Sequence, residues 1–331
     1  MNSFGRLFKV QIFGESHGVC VGIVIDGVTA GLPISENDVL PDLERRKGNL
    51  QKGTTPRKEI DYPIFKSGIF NGKATGFPIT ILFENNNIRS EDYDMQRNIP
   101  RPGHADFTAH QKFGGNEDYR GGGHFSARLT TGLVAAGAIA KKMLKNISIN
   151  ASVIEVAGET DIEKGLQKAI DSKDTVGGIV ECKVEGLPVG LGEPYFDSLE
   201  SLLAHIIFSI PAVKGIEFGA GFKATKMFGS KHNDAIENIQ GKTITNNAGG
   251  IVGGISNGNE IVFRVAFKPA ASTPKEQNSL NWHTEKMENF SVKGRHDLCV
   301  ALRAPVIVEA ATALVLADCM LLEQQCKRVA Q

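Results

Sequence analysis

The chain has 331 residues, 41% hydrophobic and 22% charged, the composition of a soluble globular protein with a large core. Lys+Arg and Asp+Glu are both 37, which argues against a general polyanion or nucleic-acid binder and leaves any anion site to a few placed cations. Five scattered cysteines (Cys20, Cys182, Cys299, Cys319, Cys326) form no C-x-x-C pair, so neither a disulfide framework nor structural zinc is expected, and a reducing, cytoplasmic setting fits.

Residues 1–10 lack an apolar stretch of signal-peptide length. A β-branched, apolar run predicts a strand over 19–25. Ser35 caps a helix to about residue 46, with Asp38 placed for a capping box. A second strand is expected over 79–83. Ser126 or Ala127 opens a long helix to about residue 144, whose Lys141, Lys142 and Lys145 suit the negative end of the dipole. A strand over 178–184 follows, then a helix capped by Asp197 or Ser198 that runs to about 209, before Pro211. Strict alternation over 260–268 puts Ile261, Phe263, Val265 and Phe267 on one face of a strand. The polar stretch 271–289 reads as a long surface loop. Pro305 starts a last helix to about 325; Glu309 and Asp318 inside its apolar stretch mark a core helix rather than a membrane span. Strands and helices mix without strict βαβ alternation, which favours α+β layers, and no G-x-G-x-x-G follows a strand to suggest a Rossmann site.

Five constellations carry functional groups. Glycines bracket Glu15, Ser16 and His17 after the apolar pair Ile12-Phe13, a setting for a general acid or for a plain turn with a backbone-bonded histidine. Arg101-Pro102-Gly103-His104-Ala105-Asp106 sends three functional side chains from one turn; a local ion pair is the bland reading, and metal ligation by His104, Asp106 and His110 matches no common zinc spacing. In Arg120 to Arg128 a run of three glycines leads into a helix start flanked by arginines, the makings of an anion site. Arg295-His296-Asp297, with Arg303 beyond, offers an acid and a base side by side or an ion-pair network. Arg45-Arg46-Lys47 with Lys52, Arg57 and Lys58 is either a solvated helix end or a second anion contact.

Together these motifs resemble the chorismate synthase family, in order, from about Gly5 to Leu322. Further matching pieces are the runs 209–215, 247–251, 256–258 and 268–269; residues 146–175 and 271–289 are least similar. The fold expected is a single α+β domain over 1–331, a layered β–α–β sandwich with long core helices and mixed or antiparallel sheets. The resemblance implies a 1,4-anti elimination of phosphate from 5-enolpyruvylshikimate 3-phosphate, with reduced FMN required but no net redox change. It implies that His17 protonates the departing phosphate, that His104 lies against the flavin, and that Asp297 is the base acting through flavin N5. Ser16 and Ser126 would support them. Arg46, Lys52, Arg101, Arg128 and Arg295 match anion contacts. Flavin contacts would fall at His124, Phe125, Ser126, Pro211, Ala212, Gly253, Lys268, Pro269, Ala270, Ala271, Ser272 and Arg295. His124-Phe125 stands where the family commonly has Arg-Ser, and Lys52 where an arginine is usual. Some members reduce their own flavin with NADPH; here an external reductant is expected, along with a homotetramer and no metal, membrane or nucleic-acid partner. The rival reading is a flavin-free phosphate-ester lyase or hydrolase using the same pocket.

Overall fold

Alternating apolar residues build two antiparallel sheets in the computed structural model, which describes residues 2–48, 52–55, 60–86, 98–292 and 297–325. Along the chain come β1 (Ser3–Phe4), β2 (Lys9–Gly14), β3 (Cys20–Asp26), α1 (Glu36–Arg46), β4 (Ile64–Ser67), the short pair β5 (Ile69–Phe70) and β6 (Lys73–Ala74), and β7 (Ile79–Glu84). Then follow α2 (Asp106–Phe113), α3 (Thr130–Met143), β8 (Ser148–Val156), α4 (Ile162–Ser172), β9 (Gly178–Glu185), α5 (Leu199–Ile207), β10 (Val213–Phe218) and the short α6 (Gly229–His232). The chain ends with β11 (Ile251–Val252), β12 (Ile255–Ser256), β13 (Ile261–Phe267), β14 (Gln277–Asn281), β15 (Lys286–Phe290) and α7 (Pro305–Gln325). The first sheet has the order β1-β2-β3-β7-β4 and the second β10-β13-β9-β8.

The expected strands and helices form, each within a few residues of its expected bounds. In β13 the side chains of Ile261, Phe263, Val265 and Phe267 are buried while their neighbours are half-exposed, as period-2 alternation requires. Each such apolar side chain contributes about 1.5–3 kcal/mol on burial. Asp38 accepts from the backbone N of Ser35 at 2.8 Å, which closes the start of α1. From there Val39, Leu43 and Arg46 share the buried stripe, so the helix delivers Arg46 into the interior at its last turn.

Helix α3 packs on β2, β3 and β7 of the first sheet and on α1; its other side meets α7, which packs on β8 and β9 of the second sheet. Both sheets and both helices belong to one buried apolar cluster. Gly137 explains how closely the helices cross: a Cβ there would stand 2.3 Å from Ala310 Cβ. By length and composition α7 could cross a membrane, but 78% of its most apolar stretch is buried inside the protein. Its two buried carboxylates are satisfied internally. Glu309 accepts from Arg45 at 2.6 Å, Lys141 at 2.9 Å and the Ala151 backbone at 3.0 Å. Asp318 accepts from the backbone N–H groups of Arg6, Leu7 and Phe8 at 2.9, 2.7 and 2.8 Å.

One expectation fails. The stretch 271–289 is not a plain loop: β14 and β15 pair through five registered positions. The hairpin is tethered by Ser279 Oγ to the Pro100 carbonyl at 2.8 Å and by Trp282 N to the Asn98 carbonyl at 3.1 Å. Polar side chains occupy both of its faces, so no hydrophobic alternation betrays it; backbone pairing and the tether hold it instead.

Candidate active site

A cavity of about 710 Å³ is walled by β1 and β2, the end of α1, the segment 121–133, the end of α5 with residues 208–214, and residues 268–272 and 297–303. Ser16, Arg46, Arg101, His104, His124, Phe125, Ser126, Arg128, Pro211, Ala212, Lys268, Ala270, Ala271, Ser272 and Asp297 all line it. Residues up to about 280 positions apart in sequence are thus brought to one space.

The glycine run is shaped by what packs against it. Gly121, Gly122 and Gly123 have φ of 59°, 80° and 51°, a left-handed path that glycine adopts at little cost. It is not itself the start of α3: Ser126 Oγ accepts from Arg128 N at 3.2 Å, and the α-helix begins at Thr130. The missing side chains make room for imidazoles. A Cβ on Gly121 would stand 2.5 Å from His17 Cδ2, and one on Gly122 would stand 3.2 Å from His104 Cε1. Adjacent residues therefore abut the two histidines. His17, 4% exposed, packs behind this wall rather than on the cavity surface, while its neighbour Ser16 reaches the cavity. Asn85 fixes the loop that carries them, donating Nδ2 to the carbonyls of Glu15 at 3.0 Å and Gly18 at 2.9 Å.

The cavity floor is cationic but internally balanced. Asp61 is buried in a left-handed conformation (φ 47°), which aspartate tolerates better than most residues. It accepts from Arg46 Nη1 at 3.2 Å and from Arg128 Nη1. Burial pushes the Asp61 carboxyl up, but the charges of Arg46 and Arg128 outweigh this and hold it below the usual carboxylate range. Arg46 also donates Nε to Thr130 Oγ1 at 3.0 Å, and Arg128 donates Nε to Asn85 Oδ1 at 3.0 Å. Asp297 accepts from the Thr55 backbone at 2.7 Å and from Arg303 Nη1 at 3.2 Å. Arg303 in turn donates Nε to the Arg46 carbonyl at 3.0 Å, which ties Asp297 to the arginine floor.

His124, in the place of the family's usual arginine, donates Nδ1–H to the Gly14 carbonyl at 2.8 Å and so links the glycine run to the His17 loop. On the opposite wall, burial and the charge of Lys214 both pull the Lys268 ammonium below its ordinary value. Two neighbouring ammonium groups favour an anion between them. Beyond His104 lies a second cavity of about 580 Å³, where His110 stacks on Trp282 at 4.6 Å and meets Glu117 at 3.3 Å, so it does not join His104 and Asp106 as a metal set.

Some expected residues are not brought to the cavity. Lys52 is exposed and lies off its walls. Gly253 sits in the turn between β11 and β12, beside a glycine packed on Glu193 and Ser198. Pro269 falls between lining residues without lining, and Arg295 lies outside the described residues. Conversely, Asp61, Asn85, Thr55 and Lys214 were not singled out from the sequence. For Asp61 a signal exists: it is the one charge in Ile60-Asp61-Tyr62-Pro63.

An α+β fold that gathers arginines, lysines, histidines and an aspartate around one cavity defines an enzyme for a small, multiply charged anion. The family model described as chorismate synthase matches residues 8–321. A chorismate synthase of Chitinophaga pinensis is 67% identical over 99% of both chains, and one of Christiangramia forsetii is 48% identical over 96% of both. A solved structure titled "Crystal Structure of Chorismate Synthase" superposes with a TM-score of 0.74 at 26% identity, covering 97% of this chain and 93% of that one. The chain belongs to the chorismate synthase family, whose members are carbon–oxygen lyases acting on a phosphate and need a reduced flavin.

Proposed function

We propose that the chain catalyses the chorismate synthase reaction, the 1,4-anti elimination of phosphate from 5-enolpyruvylshikimate 3-phosphate to give chorismate. The observation that carries this reading is the convergence of Arg46, Arg128, His104 and Asp297 on one cavity large enough for substrate and a planar cofactor together. The substrate carries a phosphate and two carboxylates, and the arginine floor supplies the positive field that such a trianion needs.

The flavin site would be the wall of Pro211, Ala212, Ala270, Ala271 and Ser272, whose small side chains suit a flat ring, with Lys214 and Lys268 placed for an anionic phosphate. When bound, reduced FMN supplies electron density that helps expel the phosphate. The family likeness assigns protonation of the departing phosphate to His17, which sits behind Gly121 beside the cavity-facing Ser16. Asp297, held beside Arg303, takes up the proton lost from the ring carbon. Ser16 and Ser126 orient these groups by hydrogen bonding, and by the family likeness Arg295 is a further anion contact. By the same reading an external donor keeps the flavin reduced, and the protein is cytoplasmic.

We read the packing of sheet, α3, α7 and sheet as one layered β–α–β domain, supported by the shared buried cluster. Exposed Phe222, Phe228, Ile236, Ile239 and Ile244 support self-association, which the family likeness extends to a homotetramer; light scattering on the eluting protein gives the mass that tests it. The deciding assay is anaerobic. Protein, substrate and dithionite-reduced FMN should release phosphate and chorismate in equal amounts, and omission of FMN should abolish both. Turnover at the same rate without flavin would transfer the reading to a flavin-free phosphate-ester enzyme.

A further inference from the structure

His104 has little freedom to turn. Asp106 Oδ1 accepts from His104 Nδ1 and, at 2.8 Å, from Arg101 Nη2. Asp106 Oδ2 accepts from the Arg101 backbone N at 3.0 Å and from its Nε at 2.7 Å. Arg101 then spends Nη1 on Ser272 Oγ at 3.0 Å. Its Nη2 also lies 2.9 Å from His104 Nδ1 and 3.2 Å from Nε2, so the guanidinium edge is pressed on the ring. From the other side comes the Gly122 backbone, where an added Cβ would lie 3.3 Å from Nε2.

This arrangement decides where the ring proton sits. An ionised carboxylate only accepts, so the hydrogen shared with Asp106 is on Nδ1. Burial raises the Asp106 carboxyl, but its bonds to Arg101 and His104 outweigh that and hold it well below the usual range, so it stays an acceptor. With Nδ1 protonated towards Asp106, the Arg101 Nη2 lies over the ring, within reach of both nitrogens but in line with neither lone pair. The neutral imidazole is thereby left with Nε2 as its lone-pair atom, at the wall shared by the cavity.

We propose that Asp106 is the positioning residue that sets the tautomer and orientation of His104, with Arg101 and Ser272 as the other half of the clamp. Arg101 then serves the site through His104 rather than as a freely available anion ligand, unlike the reading its motif alone invites. The kinetic part of this proposal rests on the reading that His104 takes part in the reaction; the tautomer part does not.

The test separates the two. Full-length protein labelled with ¹⁵N-histidine is examined by long-range ¹H–¹⁵N correlation at about pH 8, where a free imidazole is neutral; the His104 signals are assigned by their loss in His104→Gln. Wild-type protein should show the Nδ1–H form, and an Nε2–H form would overturn the proposal with no variant needed. In Asp106→Asn the amide can turn its NH₂ towards Nδ1, so the tautomer should switch. Under this clamp kcat should fall by about 10–100-fold, as when the group orienting a functional histidine is removed, while KM stays within about twofold because anion binding is untouched. Asp106→Glu, which keeps the carboxylate, should restore the Nδ1–H form and part of kcat. An unchanged tautomer in Asp106→Asn refutes the clamp. A switched tautomer with full kcat supports the clamp and removes His104 from the reaction.

Discussion

Asp61 answers to two guanidiniums at once, so its removal should be felt at both. Asp61→Ala takes from Arg46 and Arg128 a buried carboxylate they share, and loss of one member of a buried ion pair commonly costs about 3–5 kcal/mol. Urea unfolding should show that loss, and an unmoved midpoint would show that the two arginines need no internal partner. Arg128→Ala should raise KM, since a charge contact left unpaired is worth about 2–5 kcal/mol; an unchanged KM speaks against its contact with substrate. His17→Ala should lower kcat by ~10²–10⁴-fold, the usual range for a positioned acid, with binding kept. Steady-state kinetics on the reduced-flavin assay reads both. At this scale the glycine-bearing motifs were legible in the sequence, and the fold sets Gly121 and Gly122 against the rings of His17 and His104. The sequence was silent on Asp61, whose role depends on a partner 67 residues away. Gly253 lies in the β11–β12 turn, off the cavity walls; a motif match carries no information on which wall of the molecule a turn will face.

At the scale of elements, α3 and α7 are the parts whose identity the residues declared most clearly. Their Ala-rich faces and the proline start of α7 are local signals. What could not be read locally is how close they come. Gly137→Val should act as a wedge between them, since even its Cβ would sit 2.3 Å from Ala310 Cβ. Overpacking of a tight core costs about 1–3 kcal/mol or more. Calorimetry should show a lowered Tm, and an unchanged one would mean the helices can separate freely. The β14–β15 hairpin is the converse case. Its residues lack apolar contrast, so the 3.6 and 2.0 periods are both absent, and backbone pairing, the long-range tether and Phe290 packed in a small cluster with Ile99 define it.

For the molecule as a whole, several carboxylates are held in their charged form by the fold. Asp61, Asp106 and Glu309 are raised by burial, but their arginine and lysine partners prevail, so each lies lower folded than unfolded. Their contribution is therefore complete above the ordinary carboxylate value, about 4, and is lost as pH falls through the folded values. Thermal unfolding followed across a pH series should show stability declining below about pH 4; a flat profile there would contradict these pairings. Burial likewise pushes the thiols of Cys182 and Cys319 up to about 12. Iodoacetamide at neutral pH should spare both until the protein is unfolded, which peptide mass mapping can follow.

Asp318 adds an order to assembly. It lies in α7, yet it supplies the acceptors for three consecutive backbone N–H groups at residues 6–8, ahead of β2. During synthesis those donors emerge from the ribosome some three hundred residues before their partner does. Until then the leading edge of the first sheet has no internal acceptor there. Translation pauses or C-terminal nicks would consequently leave a sticky front strand exposed to chaperones and to neighbouring nascent chains.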